Sequence, residues 1–60
     1  MPDLMTLHTL KEFYSKEGEF QGLDIWIRDP DNNVIWIGSR RTIEQCAHYL
    51  DYLGIVNDIF

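Results

Sequence analysis

Three arginines, a close pair of aspartates, one cysteine and two histidines are the side chains whose types and spacing first suggest chemistry. Arg40 and Arg41 stand just ahead of a segment that reads as a helix, and Arg28 lies earlier in the chain. Guanidinium groups beside the free N–H groups of a helix start can hold a phosphate or carboxylate, which makes Arg40 and Arg41 a candidate anion-binding pair. The plainer reading is that arginines on an acidic protein pair with nearby carboxylates or with water. Asp29 and Asp31 could act as a carboxylate pair, but both sit in D-P-D-N-N, where Asp is favoured for turn hydrogen bonds. Cys46 falls in an apolar stripe, where a buried inert thiol is the ordinary outcome. A reactive cysteine needs exposure and a neighbour that stabilises the thiolate, and His48, two positions on, points elsewhere on a helix.

Cys46, His8 and His48 show no paired ligand spacing, so neither a metal nor another cofactor is expected. No Ser/His/Asp order or glycine-rich phosphate loop occurs. A chain this short also leaves little room for a pocket of the ~300 Å³ or more that ligand sites occupy. The expectation is a protein that is not an enzyme.

The stretch that positions the rest is Gly22–Gly38, GLDIWIRDPDNNVIWIG. Leu23–Arg28 and Val34–Ile37 read as strands, dense in β-branched and aromatic residues, around a linker of Pro, Asp and Asn. Pro30 suits the first corner of a type I turn, Asp31 the second, and Asn32 the left-handed position that closes a three-residue loop. That register sets Arg28 against Val34, Ile27 against Ile35, Trp26 against Trp36 and Ile25 against Ile37. A slip of one residue would mix the two faces. One face becomes Leu23, Ile25, Ile27, Ile35 and Ile37; the other becomes Asp24, Trp26, Arg28, Val34 and Trp36. The first is a core for helices to cover. The second joins two indoles to two charges, a mixture rare both in cores and on solvated surfaces.

Flanking segments complete an α+β domain. Leu4, Leu7, Leu10 and Phe13 or Tyr14 recur at helical spacing, predicting a first helix over 3–17, capped by Asp3 and ended by Gly18. Lys11, Glu12, Lys16 and Glu17 form its solvent face, and His8 is a surface residue with no evident partner. A capping box at Thr9–Glu12 offers a later start, with residues 4–8 extended as an added strand. Phe20 either folds over one end of the core or joins the Trp face. A second helix runs from Thr42 to about Leu53, with a capping box at Thr42 and Gln45, an apolar stripe of Ile43, Cys46, Ala47, Leu50 and Leu53, and a stop at Gly54. The apolar tail Ile55–Phe60 is expected to be docked. The architecture predicted is α-β-β-α: two helices on one face of a two-stranded antiparallel hairpin, with a terminus able to add a short third strand.

Sixty residues make one domain, 1–60, and a chain of this size is marginal alone. With a single cysteine and no metal spacing, self-association is the remaining staple. One cysteine also suits a reducing, cytoplasmic setting. The start, MPDLMTLHTL, lacks a basic n-region and a long apolar run, so no signal peptide or membrane helix is expected. Ten acidic against five basic residues give a net charge of −5, which argues against direct nucleic-acid binding.

Three functional readings follow. The leading one is a small acidic protein-binding module using Trp26, Trp36, Val34, Arg28 and Asp24, since Trp and Arg are enriched at binding hot spots. A second makes the same face the interface of a structural homodimer. A third is an inhibitor of the phage or mobile-element type that mimics nucleic-acid charge and blocks a basic cleft.

Overall fold

The computed structural model describes residues 4–59. Asp3, the expected cap of the first helix, lies outside them. The chain forms three strands, β1 (Thr6–Tyr14), β2 (Phe20–Arg28) and β3 (Val34–Arg40), followed by one helix, α1 (Ile43–Leu53). The strands make an antiparallel sheet in the order β1-β2-β3. The order is therefore β-β-β-α rather than α-β-β-α, and the predicted first helix is a nine-residue strand.

Two turns of one design build the sheet. In the second, Asp29 N donates to Asn33 O (2.9 Å) and Asn32 N to Asp29 O (3.0 Å). Asp29 Oδ1 accepts from Asn33 N (2.8 Å), and Asn32 takes the left-handed conformation at φ 69°. This is the three-residue loop expected from the hydrophobic pattern. The first turn repeats it bond for bond. Ser15 N donates to Glu19 O (2.8 Å), Gly18 N to Ser15 O (2.9 Å), and Ser15 Oγ accepts from Glu19 N (3.1 Å). Gly18, read as a helix stop, occupies the position of Asn32.

Three bulges explain where the faces depart from simple alternation. Leu7 pairs with Ile27 and Thr9 with Trp26, so His8 is an extra residue in β1. Leu7 and Leu10 therefore reach the same face although three positions apart. That spacing is what imitated a helix. In β3, Trp36 pairs with Trp26 but Gly38, not Ile37, pairs with Ile25, so Ile37 is the extra residue. In β2, Phe13 pairs with Gly22 and Tyr14 with Phe20, leaving Gln21 unmatched. This inverts the parity of Phe20. It stands edge-on to Tyr14 with ring centroids 5.9 Å apart, on the side of Glu12, whose carboxylate accepts from the Tyr14 hydroxyl. Phe20 is 44% exposed and belongs neither to the core nor to the Trp face.

Helix α1 is capped as its sequence predicts. Thr42 Oγ1 accepts from Gln45 N (3.1 Å), while the Gln45 side chain accepts from Arg41 N, one residue earlier than a standard capping box. Gly54 N donates to Asp51 O (3.1 Å) at the other end. The helix starts beside the Arg40 end of β3, and the tail that follows it reaches the Thr6 end of β1. There Leu7 N donates to Val56 O (2.9 Å) and Val56 N to Met5 O (3.0 Å). Helix and tail thus cross one face of the sheet from corner to corner.

Burial follows that diagonal. Leu23, Ile25, Ile27, Cys46, Leu50 and Ile55 form the core, with Leu7, Leu10, Ile37, Tyr49 and Ile59 packed against it. The tail is docked through Ile55, as expected. Glu12 shares the face but lies at an uncovered corner, where its charge stays wet. Ile35 lies at the other uncovered corner and is 43% exposed, so it is not the core residue its pattern predicts. A helix of eleven residues spans about 16 Å against about 30 Å for a nine-residue strand, too short to cover both corners. Ile43 and Leu53, at the helix ends, overhang and are exposed for the same reason.

Candidate functional site

Asp24, Trp26 and Arg28 alternate along β2 and point away from α1, and Val34 and Trp36 on β3 share that face. The bulge at Ile37 brings Ser39 opposite Asp24 on it, and β1 adds His8, Thr9, Lys11 and Phe13. No described element lies over this side of the sheet. All five residues singled out from the sequence are therefore neighbours on the uncovered face.

Its polar groups hold the apolar ones in place. Trp36 Nε1 donates to Asp24 Oδ1 (3.1 Å), and the Ser39 hydroxyl donates to the same oxygen. The Trp36 indole is thereby tethered although it is 54% exposed. Alternation from the bonded pair Asp29–Asn33 makes Trp26–Trp36 a non-hydrogen-bonded pair, the kind whose side chains approach most closely. Arg28 donates to Asn32 Oδ1 (2.6 Å) and to His8 Nδ1 (3.2 Å), so His8 has a partner after all. Lys11 occupies the cross-strand position opposite Asp24. Trp26 Nε1 is buried with no acceptor within hydrogen-bond reach among the described residues. An orphan of this kind costs about 1–3 kcal/mol.

No family model, curated protein or solved structure matches the chain. The site therefore rests on its own geometry.

The three arginines do not converge. Arg28 pairs with Val34 at the turn end, whereas Arg40 pairs with Leu23, about 17 Å along the strand. The Arg40 guanidinium lies over the Tyr49 ring, 3.7 Å from its centroid, and donates to Ser39 O. Arg41 is exposed at the helix start. Beside Arg40 lies an open cleft of about 660 Å³ lined by Arg40, Thr42, Glu44, Gln45, His48 and Tyr49. Its volume exceeds what so short a chain was expected to offer. Glu44 in its lining opposes an anion, and Thr42 and Gln45 already occupy backbone donors at the helix start.

The remaining candidates take structural roles. Asp29 closes its turn through Asn33. Burial pushes the Cys46 thiol up, against a smaller downward pull from the charge of Arg40, so the thiolate is disfavoured. Among the described residues, no three His, Cys, Asp or Glu side chains are grouped to hold a metal. No helix among them is long and apolar enough to cross a membrane.

His8, Thr9, Lys11, Phe13 and Ser39 are the members of the face that the sequence reading missed. For the four on β1 the signal was present in Thr6–Tyr14, TLHTLKEFY, whose threonines and aromatic end favour a strand, whereas Ser39 is brought to the face by the bulge at Ile37.

Proposed function

We propose that this chain is a small non-enzymatic protein-binding module. Its contact surface is the uncovered sheet face, with Trp36, Val34 and Trp26 at the centre and Asp24 and Arg28 as polar flanks. The observation that carries the reading is Trp36, a tethered indole 54% exposed beside a valine 39% exposed on a face that no described element covers. A large aromatic held in one orientation loses little side-chain entropy on contact and buries much apolar area, which is how hot-spot residues act. The flanking charges give orientation and suppress wrong partners.

The test compares three forms of the domain as bait: wild type, Trp36→Ser with Val34→Ser, and the helix-side variant Glu44→Lys. Dissociation constants are then measured with the purified captured protein. The face variant is expected to bind at least about tenfold more weakly, with Glu44→Lys and the far-ultraviolet circular dichroism unchanged. Equal binding by the face variant refutes the reading.

A further inference from the structure

We infer that the outer edge of β3 pairs antiparallel with the same edge of a second copy, with Ile35 on the two-fold axis. This surface is the strand edge rather than the sheet face, so the inference stands apart from the protein-binding reading.

Among the described residues no strand pairs with this edge, and its first three residues are undefended. The sheet ends at β3 on one side, while on the other Val56 bridges to Thr6 of β1. Asp29 N donates to Asn33 O, so the Asn33 carbonyl faces β2. Alternation then turns Ile35 towards β2 and leaves the backbone N–H and C=O groups of Val34 and Trp36 pointing outward. Edge strands in monomers are normally guarded by Lys, Pro, an inward charge or a bulge. From Val34 to Trp36 there is none; the bulge at Ile37 and the charge of Arg40 guard only the far end of the strand. Val34, Ile35 and Trp36 are 39%, 43% and 54% exposed.

The ends of the strand select a second copy as the occupant. Asp29 and Asp31 precede β3, and Arg40 and Arg41 follow it. A two-fold axis at Ile35 brings the acidic turn of each copy towards the Arg40–Arg41 segment of the other, with Asp31 and Arg41 both exposed. Val34 and the partner's Trp36 then exchange backbone hydrogen bonds, and the two Ile35 side chains meet on the helix side, where α1 leaves them uncovered. The pairing is short, interrupted by the turn and by the bulge at Ile37. Its area falls below the ~800 Å² per partner of a stable interface, so the dimer is a weak one.

The test is solution mass by sedimentation from about 10 µM to about 1 mM, the range in which a weak dimer forms. Wild type is expected to rise from 7.1 kDa towards twice that mass. Ile35→Lys, at a position outside the core, stays monomeric with unchanged circular dichroism. Trp36→Ser associates like wild type, because the pairing uses backbone groups. Under oxidation, Ile35→Cys gives a covalent dimer, since Cα atoms of non-hydrogen-bonded pairs lie about 4.5 Å apart, within disulfide reach. Buried Cys46 does not compete. A wild-type mass of 7.1 kDa throughout overturns the inference. So does association that survives Ile35→Lys or disappears in Trp36→Ser, which would place the contact on the open face.

Discussion

Gly22 and Gly38 form a matched pair for separating backbone strain from steric overlap. Both have positive φ, 154° and 147°, a region that side chains other than hydrogen rarely allow. They differ in what a Cβ would meet. At Gly38 the nearest atom is Arg40 Nη1, 3.7 Å away at the end of a flexible side chain. At Gly22 it is the backbone carbonyl oxygen of Arg40 at 2.7 Å, with a Phe13 ring carbon at 3.2 Å. Gly38→Ala therefore carries the conformational cost alone, about 1–3 kcal/mol. Gly22→Ala carries that cost and a further 1–3 kcal/mol or so of overpacking, because an ordinary contact requires the Arg40 carbonyl to withdraw by roughly 0.7 Å. Arg40 pairs with Leu23 at the end of the β2–β3 ladder, so the withdrawal opens that end of the sheet beside the helix start. A domain of this size has about 3–5 kcal/mol to lose. Gly38→Ala is expected to remain folded with a lowered urea midpoint, and Gly22→Ala to be largely unfolded in water. Urea titration followed by tryptophan fluorescence measures both. Equal midpoints for the two variants would refute the steric argument.

Two further predictions concern the helix. Thr42→Ala leaves Gln45 N without its side-chain acceptor and is expected to lower stability by about 1 kcal/mol, read from the urea midpoint. Cys46 keeps its proton in the folded state at pH values where the unfolded chain releases it, so its contribution to stability is constant at lower pH and falls as the pH rises through the titration of the unfolded thiol, about pH 8.5. Cys46→Ala, although itself less stable, should lose the part of the fall that begins near about pH 8.5, read from urea midpoints across the pH range.

The hairpin was legible because three signals agreed. Pro30 and Asn32 suit their corners, the β-branched residues suit strands, and a single register sorted the faces. Helix α1 was legible from its caps. The first strand was not, and the reason is local. The extra residue at His8 spaces Leu7 and Leu10 like helix neighbours, and S-K-E-G-E lacks the proline that marks its twin, D-P-D-N-N. The misplacement of Ile37 and Ile35 has different causes. A bulge beside Trp36 leaves no trace in hydrophobic alternation, and the direction in which a helix crosses a sheet is set by tertiary packing. The five residues of the face were found because β2 carries three of them in unbroken alternation. His8 and Lys11 were missed with the strand that bears them.

Two hairpins closed by one turn design share β2, and this shapes the order in which structure is acquired. Among the described residues no ladder pair is more distant in sequence than Thr6 and Arg28, so either hairpin can zip from its own turn with little loop to close. The contact between Thr6 and Val56 spans nearly the whole chain and rewards folding only after the sheet and α1 exist. Its bonds are expected to form late, so weakening them should speed unfolding while leaving the refolding rate almost untouched, as stopped-flow rates against urea would show. The tail thus works as a latch on the folded state rather than as part of the nucleus.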